Sequence, residues 1–455
     1  MKKGRDYRED LTTIFKAAVR RVDPETMLLE QCSLEGDLFT VTLPGQMAEY
    51  NLSTYDRIIV IGAGKATARM AKAIEAILGN RISEGLIAVK YGHTEDLSII
   101  KTIESGHPIP DDNSVKAAEE IIKLARSADD KTLVINLISG GGSSLLCMPY
   151  RNDEWQCSLA DKQASTKLLL ECGAEIAEIN TIRKHLSGIK GGKLAEAIYP
   201  AHSLNLILSD VIGDRLDSIA SGLTVPDSST FAEAVAITEK YKLKRLLPVS
   251  AARILMFGDA GSIPETPKAG SGIFKNVRNI LIGTNLAALH SAAAAALSLG
   301  YNTQILSSQI TGEASGAAKF YLGIGRDIQR DLGMLQRPAC IIAGGETTVT
   351  IKGTGLGGRN QEMALAFLNE LKDTPSGNAE IFFLSGGTDG NDGPTDAAGA
   401  FASLEIAASG AAEDLSIQDY LDNNDSYNYF KRAGGLLMTG PTNTNVCDVQ
   451  IMLVV

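Results

Sequence analysis

The chain has 455 residues and a net charge of −11, with 44% hydrophobic and 21% charged residues. These values are typical of a globular enzyme with two or three domains. The negative charge argues against nucleic acid or an anionic membrane as a bulk partner. The first residues lack the apolar run of a signal peptide, and no segment has the length of a membrane span. The sequence therefore predicts a cytoplasmic protein.

Hydrophobic periodicity predicts strands that alternate with helices along most of the chain. An amphipathic helix comes first, over residues 7–22. Strands are predicted from Arg57 into a glycine turn and at 86–90, 132–138, 205–208, 277–282, 302–306, 339–343, 347–352, 381–384 and 449–454. Further helices are predicted at 66–78, 115–126, 285–299, 314–331 and 361–371. This alternation predicts α/β domains whose mostly parallel sheets are covered on both faces.

Prolines and glycines cluster between residues 226 and 272, and such clusters mark loops and linkers. We therefore expect a N-terminal α/β domain at 1–247, a linker or hinge at 248–272 and a C-terminal α/β domain at 273–455. In open α/β sheets, ligands bind at the carboxyl ends of strands. The chain's clusters of glycine, cationic and acidic residues follow predicted strands, so these clusters are the candidate sites.

One predicted strand ends in the run Ser139-Gly-Gly-Gly-Ser-Ser144. Glycines let the backbone approach a ligand closely, Ser143 and Ser144 add two hydroxyls, and the segment that follows could offer helix N-terminal amides. A plain glycine-rich connection is the alternative interpretation. The pattern favours a phosphate cradle formed by Gly140, Gly141, Gly142, Ser143 and Ser144.

This acidic chain has two candidate anion-binding positions, a single lysine and a cluster of cations. Lys65 lies in a strand-to-helix turn, where its ammonium would lie over the carboxyl edge of the sheet. Four more cations lie within eleven residues beside several glycines. A solvated face and a phosphate-binding surface are both open for this second group, which comprises Arg183, Lys184, Lys190 and Lys193.

Acidic residues also follow predicted strands. Asp210 and Glu346 each come shortly after one, and Asp389 lies in a loop rich in Asp, Gly, Thr and Asn. Mg²⁺ prefers such hard oxygen ligands and is commonly held by one or two carboxylates plus substrate phosphate. A turn built from ordinary turn formers is the alternative. The loop's place at a strand end favours a magnesium role for Asp389.

Arg359 begins a helix directly after four glycines in six residues. A cation is unfavourable at the positive end of a helix dipole, so this arginine needs an anionic partner. A bound carboxylate or phosphate could accept two parallel hydrogen bonds from the guanidinium. An arginine that points into solvent is the alternative interpretation.

Nucleotide-binding fingerprints are weak or absent. The turn after Ile61 has only two of the three glycines of a dinucleotide loop, and the run from Gly353 to Gly358 fits the spacing without the acidic residue that ribose recognition needs. The Walker A pattern is absent, as are the signatures of protein kinases. A kinase activity would therefore need another architecture.

Taken together and in order, the motifs resemble the glycerate 2-kinases of the MOFRL type. Individually they are weak, and the ordered set is specific. It comprises Ile61-Gly-Ala-Gly-Lys65, Ser105-Gly-His-Pro-Ile-Pro-Asp111, Ser139-Gly-Gly-Gly-Ser-Ser144, Asn180-Thr-Ile-Arg-Lys184, Ser209-Asp210, Gly344-Gly-Glu-Thr347, Gly357-Gly-Arg-Asn-Gln-Glu362, Gly386-Gly-Thr-Asp-Gly390 and Thr439-Gly-Pro-Thr-Asn-Thr-Asn445.

The resemblance implies transfer of the ATP γ-phosphoryl to the 2-hydroxyl of D-glycerate, with Mg²⁺. It implies a Rossmann-like N-terminal domain, a smaller C-terminal α/β domain with a mixed sheet, and a cleft between them. On that analogy, Lys65 and Arg359 are the matching catalytic or substrate-binding cations. Among the acidic residues we favour Asp210 as a catalytic residue, either as proton acceptor or as metal ligand. We assign the glycine cradle to ATP phosphates and Arg359 to the glycerate carboxylate. The motifs add binding residues at Glu346, Asn360, Glu362, Asn443 and Asn445.

Two rival functions stay open from the sequence. A hydroxypyruvate reductase would need a nicotinamide site, and a non-catalytic sugar-phosphate-binding protein would not need the acidic clusters. The sequence does not fix the oligomeric state, and a homodimer stays an option.

Overall fold

The computed structural model describes residues 5–333, 335–372 and 380–455. The chain divides into two compact units, a larger one formed by residues 24–282 and a smaller one formed by residues 1–23 and 283–455. The predicted linker at 248–272 lies inside the larger unit, and the first helix lies in the smaller one. The hinge role of that segment stays a prediction.

The α-helices are α1 (Tyr7–Arg21), α2 (Pro24–Gln31), α3 (Thr67–Leu78), α4 (Asp112–Arg126), α5 (Gly142–Leu145), α6 (Leu159–Glu171), α7 (Ile176–His185), α8 (Lys193–Ile198), α9 (Phe231–Lys240), α10 (Val249–Asp259), α11 (Asn285–Ser298), α12 (Ala314–Gln329), α13 (Arg359–Leu371), α14 (Leu404–Ala412), α15 (Ile417–Asp422) and α16 (Ser426–Ala433). The strands are β1 (Cys32–Glu35), β2 (Leu38–Leu43), β3 (Gln46–Asn51), β4 (Arg57–Ala63), β5 (Glu84–Lys90), β6 (Ile100–Ser105), β7 (Thr132–Ile138), β8 (His202–Leu208), β9 (Val277–Gly283), β10 (Asn302–Ile305), β11 (Ala339–Gly345), β12 (Ile381–Gly387), β13 (Gly399–Ala402), β14 (Leu436–Leu437) and β15 (Asp448–Val454).

The larger unit is built on a six-stranded sheet of order β6-β5-β4-β7-β8-β9. The pairings from β6 to β8 are parallel, with Ala63 opposite Ile138 where β4 and β7 end. All seven residues of β7 are buried, which fits a strand covered on both faces. The order is that of a Rossmann-like sheet, as predicted.

The strand order reverses between β4 and β7, because β5 and β6 lie on one side of β4 and β8 and β9 on the other side of β7. Ligands of doubly wound sheets bind outside the carboxyl ends of the strands at this topological switch point. The Lys65 turn follows β4 and the three glycines follow β7. The fold therefore brings two of the predicted motifs to one crevice.

A helical layer in the larger unit has its own hydrophobic core. Helices α6, α7, α9 and α10 bury apolar side chains against one another, among them Leu169, Ile182, Phe231 and Ile254. The sequence interpretation did not include this layer, and it also missed the three-stranded antiparallel sheet β1-β2-β3. The layer matters for function because α7 carries part of the basic cluster.

The smaller unit contains the predicted mixed sheet, of order β10-β11-β15-β12-β13-β14. The pair β10 and β11 is parallel and the other pairings are antiparallel. Helix α1 belongs to this unit, where Ser291 donates a hydrogen bond to the carbonyl of Ala17 at 3.0 Å. Phe15 is fully buried and packs against Gly386 of β12.

The strand predicted at 347–352 is wrong. Its β-branched residues favour extended backbone, yet the segment makes only an isolated bridge between Thr348 and Glu313. Ile351 is 80% exposed. Strand propensity reflects packing against neighbouring strands, and this segment has no such neighbour along its length.

No helix in the described ranges combines the length and the apolar character that crossing a bilayer requires.

Candidate functional site

The turn after β4 is tied to the loop after β7, which we call the glycine loop (residues 139–144). The amide of Lys65 donates to the carbonyl of Gly140 at 2.9 Å, and the amide of Ala66 donates to Ser139 Oγ at 3.1 Å. Gly64 has a φ of +150°, and a Cβ there would lie 2.0 Å from Ser139 Oγ. Glycine is therefore required for this close approach.

Three side chains converge on the glycine loop. A Cβ at Gly141, whose φ is +84°, would lie 2.8 Å from His107 Cδ2 and 3.4 Å from Lys65 Cε. A Cβ at Gly140 would lie 2.2 Å from Asp210 Oδ2. The loop glycines thus make room for an imidazole, an ammonium group and a carboxylate. We call this set, together with Ser143, Asn180 and Arg183, the glycine-loop site.

Electrostatics differ among these three groups. Burial, together with the charges of Lys65 and Lys90, lowers the pKa of His107 to about 4. Burial raises the pKa of Asp210, although the charge of Lys65 acts in the opposite direction. His107 is therefore neutral at physiological pH. The ammonium of Lys65 has no hydrogen-bond or ion-pair partner within the ranges that the structure describes.

The hydroxyls and amides of the glycine loop are more fully used than the sequence suggested. The amides of Ser144, Leu145, Leu146 and Cys147 all donate to backbone carbonyls, so they cannot serve a phosphate. Ser144 Oγ donates to the carbonyl of Gly141 at 3.1 Å. Helix α5 is only four residues long and closes its own turn. The prediction of free helix N-terminal amides here is wrong.

Lys190 holds the glycine loop in place through hydrogen bonds from its ammonium group. It is fully buried, and its Nζ donates to Ser143 O at 2.5 Å, to Ser143 Oγ at 3.0 Å and to Leu146 O at 3.2 Å. Burial lowers the pKa of Lys190 well below its usual value. Its three oxygen acceptors belong to the protein, so Lys190 positions the loop and is not a phosphate contact.

Two other lysines of the basic cluster also have partners in the protein. Lys184 forms a 3.2 Å ion pair with buried Asp227. Lys193 donates to the carbonyls of Lys184 and Ser187 near the end of α7, and burial lowers the pKa of Lys193 to about 7. Cations are favourable at the C-terminal end of a helix dipole. The structure therefore gives both lysines a structural partner where the sequence suggested a phosphate.

Arg183 is the exception in that cluster. Its side chain is partly buried, and burial lowers the pKa of Arg183. Within the described part of the chain, no carboxylate, carbonyl or hydroxyl accepts from its guanidinium. One turn earlier, Asn180 is 6% exposed and accepts from Ser221 Oγ at 3.3 Å through Oδ1. Ser221 Oγ in turn lies 2.8 Å from Ser143 Oγ.

The smaller unit holds a second charged group, the Arg359 cluster (Arg359, Asp448 and Glu346). Arg359 Nε and Nη2 donate to the two oxygens of Asp448 at 2.6 and 3.0 Å, and Nη1 lies 2.9 Å from Glu346 Oε1. Burial would lower the pKa of Arg359, but the hydrogen bonds and charge of Asp448 raise it. The bidentate partner expected from a ligand is thus supplied by Asp448.

The positive end of α13 is also closed by the protein. Asp392 accepts from the amides of Asn360 at 3.1 Å and Gln361 at 2.8 Å, and from Asn360 Nδ2 at 3.2 Å. Burial raises the pKa of Asp392 to about 6. Asn360 Oδ1 accepts from Ser385 Oγ at 2.6 Å. The predicted binding residue Asn360 is therefore committed to this cap.

The remaining predicted residues of the smaller unit are dispersed around this cluster. Glu362 is 7% exposed, and burial with the nearby charge of Glu313 raises the pKa of Glu362 to about 7. Asn445 Oδ1 accepts from the amide of Cys447 at 2.9 Å, and Asn443 is exposed with a φ of +60°. Asp389 is partly buried and accepts from the amide of Asn391 at 3.1 Å. Their binding roles stay predictions.

Comparison with known proteins identifies the family. Residues 10–256 match the domain of unknown function DUF4147, and residues 339–448 match the MOFRL family. The D-glycerate 2-kinase of Thermotoga maritima is 42% identical over 401 residues, which cover 88% of this chain and 91% of that protein. This chain belongs to the MOFRL-type glycerate kinase family.

Further members of the glycerate kinase family agree over nearly the whole chain. The glycerate 2-kinase of Pyrococcus horikoshii is 38% identical over 450 residues, covering 99% of this chain and 98% of that protein. The crystal structure of a glycerate kinase from Thermotoga maritima matches with a TM-score of 0.86 at 39% identity and covers 99% of both chains. The recognised family and the α/β fold are thereby confirmed.

Several residues of the glycine-loop site were not singled out from the sequence. His107 lay inside one of the family motifs, and its place two residues after the end of β6 was the available signal. Asn180 began another motif. Ser221 had no signal, because it joins the site from a short irregular segment.

Proposed function

We propose that this protein transfers the γ-phosphoryl group of ATP to the 2-hydroxyl of D-glycerate, giving 2-phosphoglycerate and ADP. One observation carries the proposal beyond family membership. At the switch point of a Rossmann-like sheet, the Lys65 ammonium has no partner among the described residues and faces a glycine loop with Asp210 beside it. Phosphoryl transfer needs such positioning and charge neutralisation more than covalent chemistry.

The geometry of the glycine-loop site supports the following proposed roles. Lys65 would neutralise charge on the phosphoryl oxygens, beside the phosphate cradle that we propose for Gly140, Gly141 and Gly142. Asp210 would accept the proton of the glycerate 2-hydroxyl. The hydroxyl oxygen forms the new bond to the γ-phosphorus, while the bond from that phosphorus to the β-phosphate oxygen breaks and ADP leaves. Burial raises the pKa of Asp210, which brings a carboxylate closer to the pKa that proton acceptors need.

Magnesium fits the donor set. The described residues contain no group of three or more His, Cys, Asp or Glu side chains that could hold a metal ion alone. Mg²⁺ is commonly held by one or two carboxylates together with substrate phosphates. When bound, it would neutralise phosphate charge. We propose Asp389 as a carboxylate ligand, and Asp210 is either the proton acceptor or a ligand.

The reductase alternative has less support. The turn after β4 carries Lys65 and Thr67 where a dinucleotide loop would continue toward its third glycine. Titration with NADH, followed by its fluorescence, checks this alternative directly. A saturable signal would favour the reductase.

Product identification tests the proposed function. The protein is incubated with ATP, Mg²⁺ and D-glycerate, and the product is examined by phosphorus NMR. We expect 2-phosphoglycerate and ADP in equal amounts. Formation of 3-phosphoglycerate would move the transfer to the other hydroxyl, and ATP turnover without either product would refute the assignment of the acceptor. Cytoplasmic location and homodimer formation stay predictions.

A further inference from the structure

Arg183 lies close to other cations and has no anionic partner in the described part of the chain. Lys162 and Lys190 lie near it, and repulsion from Arg183 adds to the burial that lowers the pKa of each lysine. Both lysines satisfy their ammonium groups with carbonyl oxygens, as Lys162 does with Leu186 at 3.3 Å and Arg183 at 3.5 Å. A partly buried guanidinium that has no acceptor in the described chain is costly unless a ligand completes it.

Lys184, the next residue along the helix, differs from Arg183 in having an anionic partner within the protein. Lys184 follows Arg183 on the same helix and has its own buried carboxylate, Asp227, which is 1% exposed. The protein thus supplies an internal anion to one cation of α7 and leaves its neighbour without one. Arg183 is therefore suited to an anion from outside.

A second, independent donor lies beside Arg183. Asn180 is three residues earlier on α7, so the two side chains share one face of the helix. Asn180 is 6% exposed, and its Oδ1 is occupied by Ser221. Its Nδ2 donates to no residue in the ranges 5–333, 335–372 and 380–455. A buried amide donor, linked through Ser221 to the Ser143 hydroxyl, and a guanidinium fork on the same face of α7 are thus both open.

We infer that Arg183 and Asn180 recognise the carboxylate end of the acceptor, a short 2-hydroxy acid, and so determine acceptor specificity. This inference rests on the proposed function. A planar carboxylate accepts two parallel hydrogen bonds from a guanidinium, and the amide donates a further bond. Arg183 thereby takes the role that the sequence suggested for Arg359, whose fork is occupied by Asp448. A phosphate of the nucleotide is the other anion that could occupy this position.

Arg183→Lys tests whether the bound anion is the glycerate carboxylate or a nucleotide phosphate. The substitution keeps the positive charge but removes the two parallel donors of the guanidinium. We expect the KM for D-glycerate to rise about 10- to 100-fold, the range for losing a charge-assisted bidentate contact. The KM for ATP should change less than about twofold. The matched control is Arg253→Lys on α10, because Arg253 is exposed in the same helical layer and should leave both constants unchanged.

Asn180→Ala should raise the same KM by a smaller factor, and calorimetric titration with D-glycerate provides a readout that needs no turnover. We expect binding by the wild type and a loss of it in Arg183→Ala. A raised ATP KM with normal glycerate affinity in Arg183→Lys would overturn the inference and give the fork to phosphate. Equal glycerate binding by the wild type and Arg183→Ala would also overturn it. Glycerate binding that depends on Arg183 without phosphoglycerate formation would refute the proposed function alone.

Discussion

The two charged sites of this protein treat their arginines in opposite ways. In the larger unit, the side chains of Arg183 and Lys65 form no hydrogen bond or ion pair among the described residues, although the charge of Lys65 acts on nearby Asp210. In the smaller unit, Arg359 is paired with Asp448 and Glu346, and the α13 N-terminus is capped by Asp392. Charges that the protein itself neutralises contribute to the fold, whereas charges left open are available to substrate. The predictions below test that difference.

The largest effect is expected for Arg359→Ala. Asp448 has a side chain that is 1% exposed, and removal of its partner would leave a buried, uncompensated carboxylate. Breaking a buried pair costs about 3–5 kcal/mol of unfolding free energy, and denaturant unfolding would measure it. Arg359→Lys should lose less, because it keeps the charge. An unchanged unfolding midpoint in Arg359→Ala would show that the pair contributes nothing to stability.

Lys65→Ala should show the opposite pattern. We expect kcat to fall about 100-fold or more, which corresponds to ~3 kcal/mol of transition-state stabilisation. The melting temperature should hardly change, because the ammonium makes no bond to the described protein. The control is Lys167→Ala, since the Lys167 side chain is 76% exposed and pairs only with Glu171 four residues on. Parallel loss of stability and activity in Lys65→Ala would identify a structural lysine instead.

Glu362→Gln tests the smaller unit through pH. The folded-state pKa of Glu362 is about 7, above the usual 4.5, so folding favours its protonated form. Stability should therefore fall as pH rises from about 4.5 to about 7, by about 3 kcal/mol at most, since the two pKa values differ by about 2.5 and one pKa unit corresponds to ~1.4 kcal/mol. Glu362→Gln should remove this dependence and raise the melting temperature at pH 8, while exposed Glu405→Gln should not. A variant that melts like the wild type at pH 8 would contradict the burial argument.

The smallest effect is expected for Asp389→Asn. If Asp389 is one of several oxygen ligands of Mg²⁺, the substitution should raise the Mg²⁺ concentration needed for half-maximal activity several-fold. The fold should persist, because the turn needs only an acceptor for the Asn391 amide. Wild-type activity at limiting Mg²⁺ would remove Asp389 from the metal site.

Much of the fold followed from local pattern. Strands such as β4 and β7 are mostly apolar, and helices such as α4 carry both amphipathic spacing and a capping box at Asp111. The strand expected at 347–352 failed because propensity cannot reveal whether a neighbouring strand exists. The helical layer was missed because α6 has little amphipathic contrast and the nearby prolines suggested a linker.

The site was predicted in part. The sequence located Lys65, the glycine loop and Asp210, since glycine and charge after a strand are local signals. It could not show which cations have internal partners, because those partners are distant in sequence. Asp448 lies 89 residues from Arg359, and Asp227 lies 43 residues from Lys184. Only the fold reveals that Arg183, unlike Lys184, Lys190 and Lys193, has no side-chain partner among the residues that the structure describes.

The most direct test compares Arg183→Lys with Arg359→Lys, with the KM for D-glycerate measured at saturating ATP well below the melting temperature of each variant. The account predicts a KM raised about 10- to 100-fold in Arg183→Lys with unchanged stability. It predicts a near-normal KM with reduced stability in Arg359→Lys. A selective rise of the glycerate KM in Arg359→Lys, with Arg183→Lys unaffected, would contradict it and assign the glycerate carboxylate to Arg359.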